Sequence, residues 1–351
     1  MENNNSTTDD IVNGDGGVGC SVVGDEIDHN IQDVDVDADT DTDTDTDTDT
    51  DADTTKPKKK IKHIVCSGGG VTGLSFYGAL KHTNENGIWD IQHIQSLYGT
   101  SIGSLISIVL ALNYDWDTLD DYFIKRPWQN LYKMNMYTLL ETFNRKGIFE
   151  HKVIRETFSP LFKGKDISLD ITMQEFFDLT KIEIHIFTVE LNAFVVVDIS
   201  HKTHPDWKVI DAVYCSCAVP VIFAPFFKDG CCYSDGGILL DYPVECCVKN
   251  GADPDEILGI NRTTNNHNTQ ICSESTMFDY ILHLANKTHE NILKKMNNNC
   301  KITHEINIRA TPISIDSICN TATNIDQRIR LIDDGIEISR KFVETLNSTT
   351  V

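Results

Sequence analysis

His93-Ile94-Gln95-Ser96-Leu97-Tyr98-Gly99-Thr100-Ser101-Ile102-Gly103 carries the clearest structural signal in the chain. It divides into a strand over His93–Tyr98, a turn at Gly99-Thr100-Ser101-Ile102-Gly103 and an apolar helix over Ile102–Leu112. A G-x-S-x-G between strand and helix pushes its serine up and out of a sharp turn, and the small residues Gly99 and Gly103 let the backbone make that turn. The amides that follow lie at a helix N-terminus, whose positive dipole end favours a developing alkoxide. Ser101 is therefore the candidate nucleophile.

Upstream, Ile64–Cys66 reads as a short strand running into Gly68-Gly69-Gly70-Val71-Thr72-Gly73. A helix over Leu74–Asn86 comes next, with Leu74, Tyr77 and Leu80 on one face and Gly87 as its stop. Successive glycines let backbone N–H groups converge into a nest for negative charge, which makes Gly68, Gly69 and Gly70 candidate oxyanion donors. The hexapeptide also fits the dinucleotide fingerprint G-x-G-x-x-G. That reading needs an acidic residue at the end of the second strand, but Gly99-Thr100-Ser101 stands there and Asp90 comes too early. No lysine follows Gly73, which removes the phosphate-loop reading.

Downstream, Ile182–Val189 and Phe194–Ile199 read as strands, so strands alternate with helices and imply a largely parallel sheet covered on both faces. Ile325, Ile329, Ile332, Ile336 and Val343 form a helical stripe expected to dock on the core. Ser234-Asp235-Gly236-Gly237 places an aspartate in a tight glycine turn, where Gly236 and Gly237 would let its carboxylate approach another turn. Asp-Gly is a common turn dipeptide, and alone Asp235 reads as nothing more.

Charge is placed unevenly. Residues 1–55 hold 18 acidic side chains and no Lys or Arg, out of a formal net charge of −23. The Asp-Thr/Ala alternation from Asp39 to Asp53 has no apolar face to bury and its charges repel, so this segment reads as a disordered tail. A calcium loop is excluded because the Gly and terminal Glu of that pattern are absent. Residues 56–62 reverse the sign and read as a basic linker, with contact to the acidic tail or to anionic headgroups as further readings.

No clustered basic face suggests nucleic acid. The 11 cysteines are odd in number and have no framework spacing, and the acidic start has no signal-peptide pattern. The expectation is an intracellular, cytoplasmic protein with reduced thiols, not a secreted one. Cys215 and Cys217 lack a partner pair at zinc spacing, so neither metal nor cofactor is expected. No run reaches the roughly 18–20 apolar residues that span a bilayer, and any membrane contact would be peripheral.

Taken together, these motifs resemble the patatin-like phospholipase family over about Lys62–Asn261 and on toward the C-terminal helix. G-G-G-x-x-G, G-x-S-x-G and D-G-G occur in family order. Ser216-Cys217-Ala218-Val219-Pro220-Val221-Ile222-Phe223-Ala224-Pro225 resembles the family's segment before the acid, and Asp241-Tyr242-Pro243-Val244 and Gly251-Ala252-Asp253 resemble its segments after the acid. The resemblance implies a three-layer α/β/α sandwich related to the α/β hydrolases, with residues 63–351 as the catalytic domain, C-terminal helices included. It implies lipid acyl-ester hydrolysis by a Ser101–Asp235 dyad with a backbone oxyanion hole. A silent lipid-binding module and an acyltransferase with a non-water acceptor are the alternatives.

Two positions depart from the family pattern. Thr72 stands where Arg or Lys is common. Asp241 replaces the usual Asn, and its charge would raise the Asp235 pKa if the two are close. His267, His283, His289 and His304 are candidates for completing a Ser–acid–His triad instead. Met277, Phe278, Tyr280, Ile281 and Leu284 share a helical face after the Asn-rich stretch near Asn261–Asn268; docking on the core is the simpler expectation, and a lid or membrane contact the other.

Overall fold

Along the chain the strands are β1 His63–Cys66, β2 Ser96–Thr100, β3 Gly147–Phe149, β4 Glu183–Glu190, β5 Val195–Ile199, β6 Val221–Phe223, β7 Phe226–Lys228, β8 Cys231–Asp235, β9 Ile257–Thr263 and β10 His304–Arg309. The helices are α1 Gly73–Glu85, α2 Ile102–Ala111, α3 Trp116–Asp120, α4 His151–Gly164, α5 Met173–Thr180, α6 Val209–Cys217, α7 Val244–Lys249, α8 Ile315–Thr323 and α9 Ile325–Ser348. The structure, a computed structural model, describes residues 59–133, 141–142, 144–263, 271–277, 280–281, 283–284, 287–288, 300–311 and 313–348. The tail 1–55, His267, Phe278 and His289 lie outside the described residues.

The main sheet has the order β10-β9-β1-β2-β4-β8-β7, with β5 added to β4. β10, β9, β1, β2 and β4 are parallel neighbours, while β5, β8 and β7 are antiparallel additions. From β1 the chain moves to β2 on one side, while β9 pairs on the other. The strand order therefore reverses at β1, the place where α/β sheets open a crevice at their carboxyl ends.

The pleat divides the strand side chains between two cores. Ile64, Cys66, Leu97, Ile184 and Ile186 join the larger one with α1, α2, α4 and α6. Val65, Tyr98 and Phe187 join a smaller one under α7. This is the three-layer α/β/α sandwich, and each such apolar side chain contributes about 1.5–3 kcal/mol by leaving water. α2 is buried all along from Gly103 to Ala111, as a helix without a polar face must be. Its serines satisfy their hydroxyls locally: Ser104 Oγ donates to Ser101 O at 2.6 Å, and Ser107 Oγ to Gly103 O at 2.9 Å. No helix among the described residues is long and apolar enough to cross a membrane.

Three sequence expectations are corrected. The second strand starts at Ser96 rather than His93, because Asp90 caps a 3-10 turn over Ile91–His93 by accepting from the Gln92 amide. The C-terminal helix docks, but through Arg328, Leu331, Ile332, Gly335, Ser339 and Val343, while Ile325 and Ile329 are exposed. The rotation follows from close packing of α9 on α1. A Cβ on Gly335 would lie 1.9 Å from Ser75 O, and one on Gly78 would lie 2.2 Å from Ile332 O. Finally, Met277, Tyr280, Ile281 and Leu284 are exposed, and both cores close without them.

The helix contact makes a direct prediction. Gly335→Ala forces two backbones apart and is expected to lower stability by about 3 kcal/mol in urea unfolding. An unchanged midpoint would mean that α1 and α9 do not meet at these glycines.

The described part of the basic stretch is held by the domain itself. Ile61 is buried, Lys59 Nζ lies 2.5 Å from Asp253 Oδ2, and Lys62 Nζ lies 2.8 Å from Glu256 Oε1. These lysines therefore face acids just before β9.

Candidate active site

Ser101 sits between β2 and α2 with φ 53° and ψ −123°, a left-handed backbone that a side chain normally avoids. Tertiary contacts hold it there. Its amide donates to Ser216 Oγ at 2.8 Å, and Ser216 Oγ donates to Phe187 O at 2.6 Å, so α6 and β4 pin the turn. The flanking glycines are required by close approach. A Cβ on Gly99 would lie 2.4 Å from the Gly103 carbonyl carbon, and one on Gly103 would lie 2.3 Å from Cys66 O. Gly73 is likewise confined, by Ile102, and Gly236 by Phe187 O.

Asp235 is buried at the end of β8, against α6, where its amide donates to Ala218 O at 3.0 Å. Ser101 Oγ donates to Asp235 Oδ2 at 2.6 Å, and the Gly237 amide donates to Asp235 Oδ1 at 2.7 Å. Burial pushes the Asp235 carboxyl up to about 7; the two hydrogen bonds oppose the rise, Asp241 adds a little to it and Arg262 reduces it. The repulsion expected from Asp241 is therefore secondary to burial. Asp241 is itself paired, with Arg262 Nε 2.6 Å from its Oδ2.

The first glycine turn lies against Ser101: a Cβ on Gly68 would stand 3.4 Å from Ser101 Cβ. Against the expectation for Gly68 as an oxyanion donor, its amide is already spent, donating to Asp241 O at 2.9 Å. Among the described residues no hydrogen bond occupies the amides of Gly69 and Gly70. Gly70 has φ 54°, and Ile313 packs on it, 3.0 Å from where a Cβ would stand. Thr72 is buried, and its Oγ1 accepts from the Thr311 amide at 2.9 Å, tying this turn to the segment after β10.

A cavity of about 170 Å³ opens beside Ser101 and Gly70. Leu105 and Ile106 of α2, Phe223 of β6 and Ile318 of α8 are among its mainly apolar walls. Arg328 also lines it, with its guanidinium donating to the carbonyls of Ile124, Thr321 and Ala322 at 2.7–3.1 Å. That charge is thus spent on the last-turn carbonyls of α8 and on Ile124, where a cation is favourable.

Among the described residues no histidine hydrogen-bonds to Ser101 or Asp235. His304 starts β10, its ring centroid 6.5 Å from that of Phe342. Sequence reading thus placed Ser101, Asp235 and the glycine turns, which the fold brings together at one end of the sheet. It gave Ser216 no role and missed Arg262 and Thr311, whose partners are distant in the chain.

The three-layer sheet agrees with the comparisons with known proteins. A family model for patatin-like phospholipases matches residues 64–247, and the chain belongs to that family. It is 26% identical over 238 residues to uncharacterized protein R571 of Acanthamoeba polyphaga mimivirus, covering 65% of this chain and 77% of that protein. It is 29% identical over 198 residues to probable lipid hydrolase 463L of Invertebrate iridescent virus 6, covering 55% of this chain and 65% of that one. Its fold is similar to that of VipD from Legionella pneumophila, with TM-score 0.51, 15% identity, and 82% of this chain and 67% of that chain covered.

Proposed function

We propose that this chain is a lipid acyl hydrolase, a phospholipase A-type esterase in which Ser101 is the nucleophile and Asp235 its base. The observation that carries this is the 2.6 Å contact from Ser101 Oγ to Asp235 Oδ2 at the edge of an apolar cavity. Asp235 accepts the hydroxyl proton as Ser101 Oγ attacks the ester carbonyl carbon. The amides of Gly69 and Gly70 donate to the oxygen as it gains charge. The protonated Asp235 then returns its proton to the departing alcohol, and water releases the acyl group by the same steps in reverse. The cavity takes the acyl chain, so a lipid reaching the site peripherally from a membrane surface fits this reading.

Burial serves the chemistry here. A carboxylate with a pKa near 7 accepts a proton more readily than an exposed one and is still largely ionised just above neutrality. The expected pH profile of kcat/KM for a soluble ester therefore rises through about pH 7 and levels off above it. A limb near pH 4 would show that Asp235 is not desolvated in the working enzyme.

Incubation with a mixed lipid extract tests the function itself. Wild type is expected to release free fatty acid and Ser101→Ala none. Transfer of the acyl group to an added lysolipid or alcohol in preference to water would make the chain an acyltransferase. Lipid binding without any product, from folded protein, would make it a silent lipid-binding module.

A further inference from the structure

Asp241 is a buried carboxylate that the proposed chemistry does not use, and it lies between the first glycine turn and the acid turn. Its carbonyl accepts from the Gly68 amide at 2.9 Å. Its Oδ1 fills the space beside both glycine turns: a Cβ on Gly68 would stand 2.6 Å from it, and one on Gly237 would stand 3.2 Å from it. The same point at Gly237 is 2.8 Å from Asp235 Oδ1, so the two carboxylates lie within about 6 Å, close enough for like charges to act on each other. Ser101 Cβ lies 3.4 Å from the point at Gly68, so Asp241 Oδ1 is within about 6 Å of Ser101 Cβ as well.

An unbalanced second carboxylate there would work against the reaction. It would hold the Asp235 proton too tightly and repel the oxyanion forming over the Gly68–Gly70 turn. Arg262 meets that charge from β9, with Nε 2.6 Å from Asp241 Oδ2 and both side chains largely buried. Its backbone is fixed to the same turn: the Arg262 amide donates to Ser67 Oγ at 2.9 Å, and the Ser67 amide donates to Ile260 O at 3.0 Å. The cation therefore cannot drift away from the turn it serves.

We propose that Asp241 and Arg262 form a positioning and charge-balancing pair: Asp241 braces the oxyanion turn against the acid turn, and Arg262 cancels the charge that this brace brings. The inference rests on the Ser101–Asp235 reading. The other groups facing Asp235 are the Ser101 hydroxyl, the Gly237 amide and the Cys217 thiol, which burial keeps protonated.

Hydrolysis of p-nitrophenyl butyrate by the full chain across pH 5–10 tests the pair, with melting temperatures confirming the fold of each variant. Arg262→Gln is expected to move the acid limb up by about one pH unit and Asp241→Asn to move it down, with the double variant close to wild type. Arg262→Lys keeps the charge and is expected to leave the limb in place, which separates charge balance from packing. Should Arg262→Gln fail to fold, Asp241→Asn decides alone. Folded variants whose limbs stay at the wild-type position, or move in the opposite directions, would overturn the proposal. Ester hydrolysis that Ser101→Ala does not abolish would instead refute the reading on which the pair depends, and the pair with it.

Discussion

Asp235→Asn is expected to lower kcat/KM by about 10⁴-fold and, in the same protein, to raise stability at pH 8 by about 2–4 kcal/mol. The asparagine keeps the shape and can still accept from the Gly237 amide, but it cannot take the Ser101 proton. The stability gain follows from the direction of the shift. Folding raises the Asp235 carboxyl from 3.8 to about 7, so the folded state holds a proton that the unfolded chain has already lost. The contribution is fully present below about pH 4 and is lost as pH rises through about 7, leaving the wild type burying a charge at pH 8. Urea unfolding at pH 5 and pH 8 measures this, and the advantage of Asp235→Asn should grow with pH. A variant less stable than wild type at pH 8 would mean that the carboxylate is better solvated than its surroundings indicate.

Ser101→Ala is the other large effect. It removes the attacking oxygen and should cost at least about 10⁴-fold in kcat, with the fold retained. Because the two groups act as a unit, adding Asp235→Asn to Ser101→Ala should lower the residual rate no further. Independent losses that multiply would show that Asp235 acts elsewhere. Loss of the Ser101–Asp235 hydrogen bond should also reduce stability by about 1 kcal/mol at neutral pH, a small change beside the kinetic one.

How much of this was legible in the sequence depended on how local the cause is. The Ser101 turn could be read because strand, glycines and apolar helix lie within a few residues of one another. Asp235 became a base only through motif order and family resemblance, since a turn aspartate beside glycines has many uses. Ser216 and Thr311 act on residues 115 and 239 positions away, and no local pattern marks them. The α9 stripe was placed only in part, with Ile332, Val343 and Ile336 on the core but Ile325 and Ile329 exposed, for a related reason. Isoleucines advertise a buried face, whereas the contact with α1 is decided by Gly335 and Gly78, which have no side chain to advertise. The exposed face around Met277 has helical spacing but no core opposite it, and spacing alone does not supply one.

Asp241 shows the opposite case. It could be seen in the sequence as a departure with a cost, a second charge near the base. Its counter-charge could not, because Arg262 is brought to it by pairing of β9 with β1 and not by proximity in a motif.

Activation of Ser101 by the fold is measured by labelling with a fluorophosphonate, because that reagent phosphonylates only an activated serine. Wild type at pH 8 should be labelled stoichiometrically on the peptide carrying Ser101, more slowly at pH 6, and not at all in Ser101→Ala. Folded wild-type protein that stays unlabelled, or carries the label on another residue, would mean that Ser101 is not an activated nucleophile.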